Sequence, residues 1–104
     1  MFEQAVQAGI QVLEEKGLNW RAAALNPRLD MAWGDVCILG FLQGDYATTQ
    51  RKWGVTDDWM ERHGFFVTEA TLAVSDMNFT EACLELAEAW RNAAQSTDLI
   101  EATG

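Results

Sequence analysis

Two cysteines and one histidine are all the thiol and imidazole ligands that this 104-residue chain offers a metal. Cys37 and Cys83 lie far apart, each inside an apolar helical pattern, so they form no disulfide framework and read as buried reduced thiols. With a lone histidine and no close pair of soft ligands, no zinc or other metal site is expected. Basic residues are scarce as well: 7 against 16 acidic ones, a net charge of −9. Binding to a phosphate backbone needs a basic face that releases counterions, so direct nucleic-acid binding is disfavoured. No apolar run approaches the roughly 18 residues of a membrane span. The first segment carries Glu3, Glu14 and Glu15 where a secretory signal would be basic. A soluble, cytoplasmic protein with no membrane association is therefore expected. A Gly-rich phosphate loop, a Gly-x-Ser-x-Gly elbow and a His-Glu-x-x-His pair are all missing, so the sequence nominates no catalytic residue and no cofactor.

What is present suits a packed core. Hydrophobic residues make up 49% and charged residues 22%, and the chain length fits one domain. Phe2, Ala5, Val6, Gly9, Ile10 and Leu13 recur at three and four residues, which predicts a helix over 2–16 closed by Gly17, with Leu18 folding back. Asn19 caps a short helix that Pro27 ends, and 26–34 is a connector. Asp35 is the expected N-cap of a helix over 35–44 that is apolar on almost every side and so belongs at the centre, with the first and last helices packed on it. Gly40 and Gly44 on that helix predict a packing seam for the Phe79 and Trp90 stripe of the last helix; Gly44 alternatively marks the helix end. A helix over 45–53 stops at Gly54. Thr56 caps the next, over 57–63, which stops at Gly64. Residues 65–74 mix extended and helical preferences and read as irregular or a short strand. Phe79, Cys83, Leu86, Trp90 and Ala93 mark the last helix, to about residue 95, capped by Asn78 or Thr80. The expectation is an all-α, compact single-domain bundle of about five helices over 1–96, with a frayed tail over 97–104.

His63, at the end of a short helix, reads as a capping residue, and the neighbouring Asp57 and Asp58 as first-turn acids favoured by the helix dipole. The five tryptophans stand out because tryptophan concentrates at binding hot spots. Trp90 and Trp20 read as structural. Trp33 stands in a loop, and Trp53 follows Arg51 and Lys52 in the one basic and aromatic cluster, so these two are the candidate partner anchors. Residues 69–104 hold seven acids against Arg91 alone, and Glu81, Glu85 and Glu88 form a helical row of negative charge, the second candidate surface.

Leu29-Asp30-Met31, then Cys37-x-Leu39-Gly40, Gly44-Asp45-Tyr46 and Gly64-Phe65 follow one another in that order. In this pattern the chain resembles a group of small uncharacterised proteins from actinobacteria and their phages. It departs at Phe41, where those relatives carry Gln after Cys-x-Leu-Gly. The resemblance implies an actinobacterial or phage origin and no activity. The expected function is a small, acidic, non-enzymatic protein-interaction or regulatory role, with a host or phage protein as partner. Two alternatives stay open: a nucleic-acid-mimicking inhibitor of a DNA- or RNA-handling defence enzyme, and an enzyme with dispersed catalytic residues. Homo-oligomerisation also stays open.

Overall fold

Local punctuation sets the architecture before any long-range contact does. In the computed structural model, which describes residues 2–103 and their side chains as far as residue 95, seven helices follow one another: α1 Glu3–Glu15, α2 Trp20–Ala24, α3 Ile38–Gln43, α4 Tyr46–Trp53, α5 Asp57–Arg62, α6 Glu69–Ser75 and α7 Phe79–Thr103. The chain is all-α, with seven helices where about five were expected, and no strand occurs among the described residues. α7 is longer than its apolar pattern, and the stretch expected to fray has its side chains outside the described residues.

Three helices end alike. Leu18 N–H donates to Leu13 O (3.0 Å) and Gly17 N–H to Glu14 O (3.1 Å); Val55 to Gln50 (3.3 Å) and Gly54 to Arg51 (3.3 Å); Phe65 to Met60 (2.9 Å) and Gly64 to Glu61 (3.1 Å). Each is a Schellman ending, with a left-handed glycine followed by an apolar residue that turns back to the core. The starts are equally local. Asn19, Asp45, Thr56 and Asn78 accept amide hydrogens from Ala22, Thr48, Trp59 and Glu81.

Two expectations about the third helix need correction. Its N-cap is Cys37 and not Asp35: the Cys37 thiol accepts from Gly40 N–H at 3.4 Å and reaches Gly34 O at 3.6 Å. The backbone over 34–36 is instead drawn into the preceding loop, where Val36 O accepts from Asp30 N–H at 2.9 Å. Nor is α3 the hub. It packs on α2 and α4, while α1 and α7 pack on each other. Gly40 is a close-approach glycine, as expected, but its neighbour is that loop: an added β-carbon would stand 2.3 Å from Asp35 C. Gly44, at φ 95°, is the helix end.

The hub is Trp90, wholly buried on α7. It stacks on Phe65 with ring centroids 5.7 Å apart, meets Trp20 at 6.1 Å, and donates Nε1–H to Gly64 O at 2.7 Å. Beside it α1 crosses the end of α5 so closely that a β-carbon on Gly9 would lie 2.1 Å from His63 O. Gly64 faces Val6 Cα at 3.0 Å by the same measure, at φ 74°. Phe79, expected on the buried stripe, is 42% exposed, because α7 begins there and its first turn overhangs the core.

Residues 65–74 hold a helix, not a strand. Helix-forming Glu69, Ala70, Leu72 and Ala73 prevail, and the Glu61 carboxylate fixes the start. Its Oε2 accepts Thr68 N–H at 2.9 Å and the hydroxyls of Thr68 and Thr71. α6 itself buries no residue. Burial pushes the Glu61 carboxyl up, but these three donors outweigh it and hold the group below its ordinary value of 4.5.

Three outcomes are expected. Gly9→Ala should force α1 off α5 and lower the melting temperature by several degrees, since overpacking costs about 1 to 3 kcal/mol. Trp90→Phe keeps one aromatic ring but leaves a cavity and strands the Gly64 carbonyl, and should lower the unfolding free energy by about 2 to 5 kcal/mol in a denaturant titration. Because the folded carboxyl of Glu61 titrates below 4.5, its hold on α6 is complete above that pH and is lost as the pH falls through the folded value. Amide-exchange protection in α6 should therefore stay level from neutral pH down to 4.5 and fall below it, and Glu61→Gln should lower it at neutral pH while converging with the wild type at the acid end.

Candidate functional site

The longest connection, residues 25–37 between α2 and α3, is held by its own hydrogen bonds. Asp30 N–H donates to Val36 O (2.9 Å), Ala32 N–H to Asp30 Oδ1 (2.9 Å) and Trp33 N–H to Asp30 O (3.3 Å), closing a loop with Trp33 near its tip. Arg91 of α7 fastens the loop's base through Leu29 O at 3.3 Å, and Tyr46 N–H fastens its far side through Gly34 O at 2.9 Å. Trp33 is 65% exposed on this scaffold, in a loop otherwise anchored by buried Leu29 and Met31.

Beneath Trp33 lies a cleft of about 80 Å³. Five of its nine lining residues are aromatic: Trp33, Tyr46, Phe65, Phe66 and Phe79; Cys37 also lines it, and none of the nine is charged. Tyr46 and Phe66 face each other with centroids 5.3 Å apart. The Tyr46 hydroxyl donates to Asp57 Oδ1 at 3.2 Å, and burial followed by that carboxylate pushes the phenol far above its ordinary value. Burial also raises the Cys37 thiol; the amides of Gly40 and Leu39 pull it partly back and Asp45 pushes it further up. Cys83 is pushed up to about 11 by burial and then by Asp30. Both thiols are free, buried and protonated at neutral pH.

The other nominated residues lie elsewhere. Trp53 is half-buried, edge-on to Trp59 (6.2 Å) and Phe65 (6.2 Å), with Lys16 Nζ 4.7 Å above its ring. That cation comes from the end of α1, whereas the adjacent Arg51 and Lys52 stay exposed. Glu81, Glu85 and Glu88 are all exposed on α7, with Leu84, 64% exposed, among them. Glu85 and Glu88 share a groove of about 260 Å³ with Glu3 and Phe2 at the start of α1. The structure therefore brings the three glutamates together and leaves Trp33 and Trp53 apart. His63 places Nδ1 2.7 Å from Trp59 O, so that nitrogen carries the proton, and its ring stacks on Trp59 at 3.9 Å. Among the described residues, no group of three or more His, Cys, Asp or Glu side chains could hold a metal ion, and no helix is long and apolar enough to cross a membrane.

Sequence reasoning found Trp33 but missed its setting. Phe79 was assigned to the core, and Tyr46 and Phe66 reach the cleft only because α4 and the chain after α5 converge there. The available signal was the Asp45 cap followed at once by Tyr46, which fixes that ring in the first turn of a helix facing the loop. No protein-family model, no curated protein and no solved structure matches the chain, so its function is argued from this geometry.

Proposed function

We propose that the protein acts by docking a protein partner on the face that carries the Trp33 loop, as a small acidic interaction or regulatory module that performs no covalent chemistry. The observation that carries this reading is Trp33, a large apolar ring 65% exposed on a loop tied down at both ends. Such a ring loses little conformational entropy on binding, and tryptophans of this kind supply much of the energy at interfaces. The residues with chemical potential support the same reading by their engagement: His63 is held by its own helix, Glu61 by two threonines, and both thiols by burial. The net charge of −9 favours a basic partner and speeds the encounter at low salt.

A second reading, a nucleic-acid mimic that enters the basic cleft of a DNA- or RNA-handling enzyme, is favoured by the exposed carboxylates of Glu81, Glu85 and Glu88 together with Glu3 beside them. The two readings separate in one experiment: affinity capture, with quantification of each recovered protein, by the wild type, by Trp33→Ala and by Glu81/Glu85/Glu88→Lys. Docking on Trp33 predicts a loss of about tenfold or more in Trp33→Ala at an unchanged melting temperature. Undiminished recovery there, with recovery abolished by charge reversal, would replace docking by mimicry.

A further inference from the structure

The cleft beneath Trp33 has a chemistry that the docking reading leaves unspecified. Five of its nine lining residues are aromatic and none is charged; Phe65 already stacks on Trp90 and Trp59, and Tyr46 packs on Phe66, so Trp33 and Phe79 are the rings without a stacking partner among these pairs. Carboxylates predominate around the cleft, and the one cation bonded to the loop is Arg91, at Leu29 O on the loop's base. Asp45 Oδ1 lies 3.3 Å from where a β-carbon on Gly34 would stand, and its charge is felt at Cys37 on the cleft wall. Asp57 holds the Tyr46 hydroxyl, and exposed Asp35 adjoins Gly34. Along the chain no lysine or arginine falls within two positions of any lining residue, whereas Asp30, Asp35, Asp45 and Glu81 do.

Aromatic faces carry a negative quadrupole and attract cations, most strongly where water is excluded. An anion would meet repulsion here, and a neutral alkyl group would gain contact without using the carboxylates. Size narrows the choice. One water needs about 10 to 15 Å³ of comparable volume, so 80 Å³ admits a head of a few heavy atoms and no fused ring. A bare ammonium is strongly hydrated, and entry would strip that shell; methyl groups spread the charge and lower that penalty.

We propose that the cleft receives an alkylated ammonium head, the methylated lysine side chain of a protein partner. The identity of the occupant rests on the docking reading above; the cation selectivity of the cleft stands apart from it.

The test is titration of the full chain, followed by amide and indole resonances. The ligands are a short peptide with one trimethyl-lysine, the same peptide with unmodified lysine, the neutral analogue in which carbon replaces the ammonium nitrogen, and phosphatidylcholine vesicles. The trimethyl-lysine peptide should shift the amides of Gly34, Cys37 and Tyr46 and the Trp33 indole. The neutral analogue and the unmodified peptide should bind about tenfold more weakly. Trp33→Ala and Phe79→Ala each remove a ring that is already largely or partly exposed; they should weaken the peptide several-fold while the Trp90 indole resonance stays in place, showing that the core is intact. Equal binding of the neutral analogue or of unmodified lysine, no shift at millimolar peptide, or preferential binding of the vesicles would each overturn the proposal. If no cation binds but Trp33→Ala still loses its captured partner, the ammonium assignment fails and docking stands. If the peptide binds and capture ignores Trp33, docking fails and the cation selectivity stands.

Discussion

One hydrogen bond, from Trp90 Nε1–H to Gly64 O, joins the last helix to the turn that ends α5, and most of the remaining packing depends on that junction. The carbonyl is buried, so it must be paired, and a ring held by that bond can stack on Phe65 in only a narrow range of orientations. α1 reaches the same place because Gly9 has no side chain to hold it away from His63 O. Three segments far apart in the chain are thereby fixed within one van der Waals layer. The wholly buried Leu13, Met60 and Leu86 fill the space around them.

Much of this was legible in the sequence wherever the determinant is short-range. The glycine endings at Gly17, Gly54 and Gly64, and the caps at Asn19 and Thr56, depend on four to six consecutive residues, and each stands where the pattern puts it. The errors share a cause in contacts between distant residues. Asp35 has good capping chemistry, but the bond between Asp30 and Val36 draws its backbone into the loop and leaves the cap to Cys37. The strand-like composition of 65–74 was outweighed by Glu61, seven and ten residues away from the threonines it gathers. Gly40 announced a close neighbour, but the neighbour is the loop at Gly34 and Asp35 and not the expected Phe79 and Trp90 stripe of the last helix. Of the candidate site, Trp33 was legible as a loop tryptophan; the cleft was not, because its rings come from four separate stretches of chain.

The two nominated tryptophans show how context decides what an aromatic residue does. Trp53 stands in a ring cluster with Trp59 and Phe65 and under the Lys16 ammonium, which makes it part of the wall of the molecule. Trp33 has its backbone committed and its ring free. A rigid backbone with an exposed ring is the arrangement that reduces the entropy lost on association, so in the proposed docking the internal hydrogen bonds of the loop would contribute without touching the partner.

The uneven lengths of the connections bear on how such a chain can change over generations. α3 and α4 are joined by two residues, α4 and α5 by three, and α6 and α7 by three. Connections this short leave little slack for an inserted residue, which would displace the caps at Asp45, Thr56 and Asn78 that start α4, α5 and α7. The 25–37 connection is longer and can spread an insertion over more residues, but only at the expense of the bonds that hold Trp33. A change of length there alters how Trp33 is displayed before it alters the helical frame behind it.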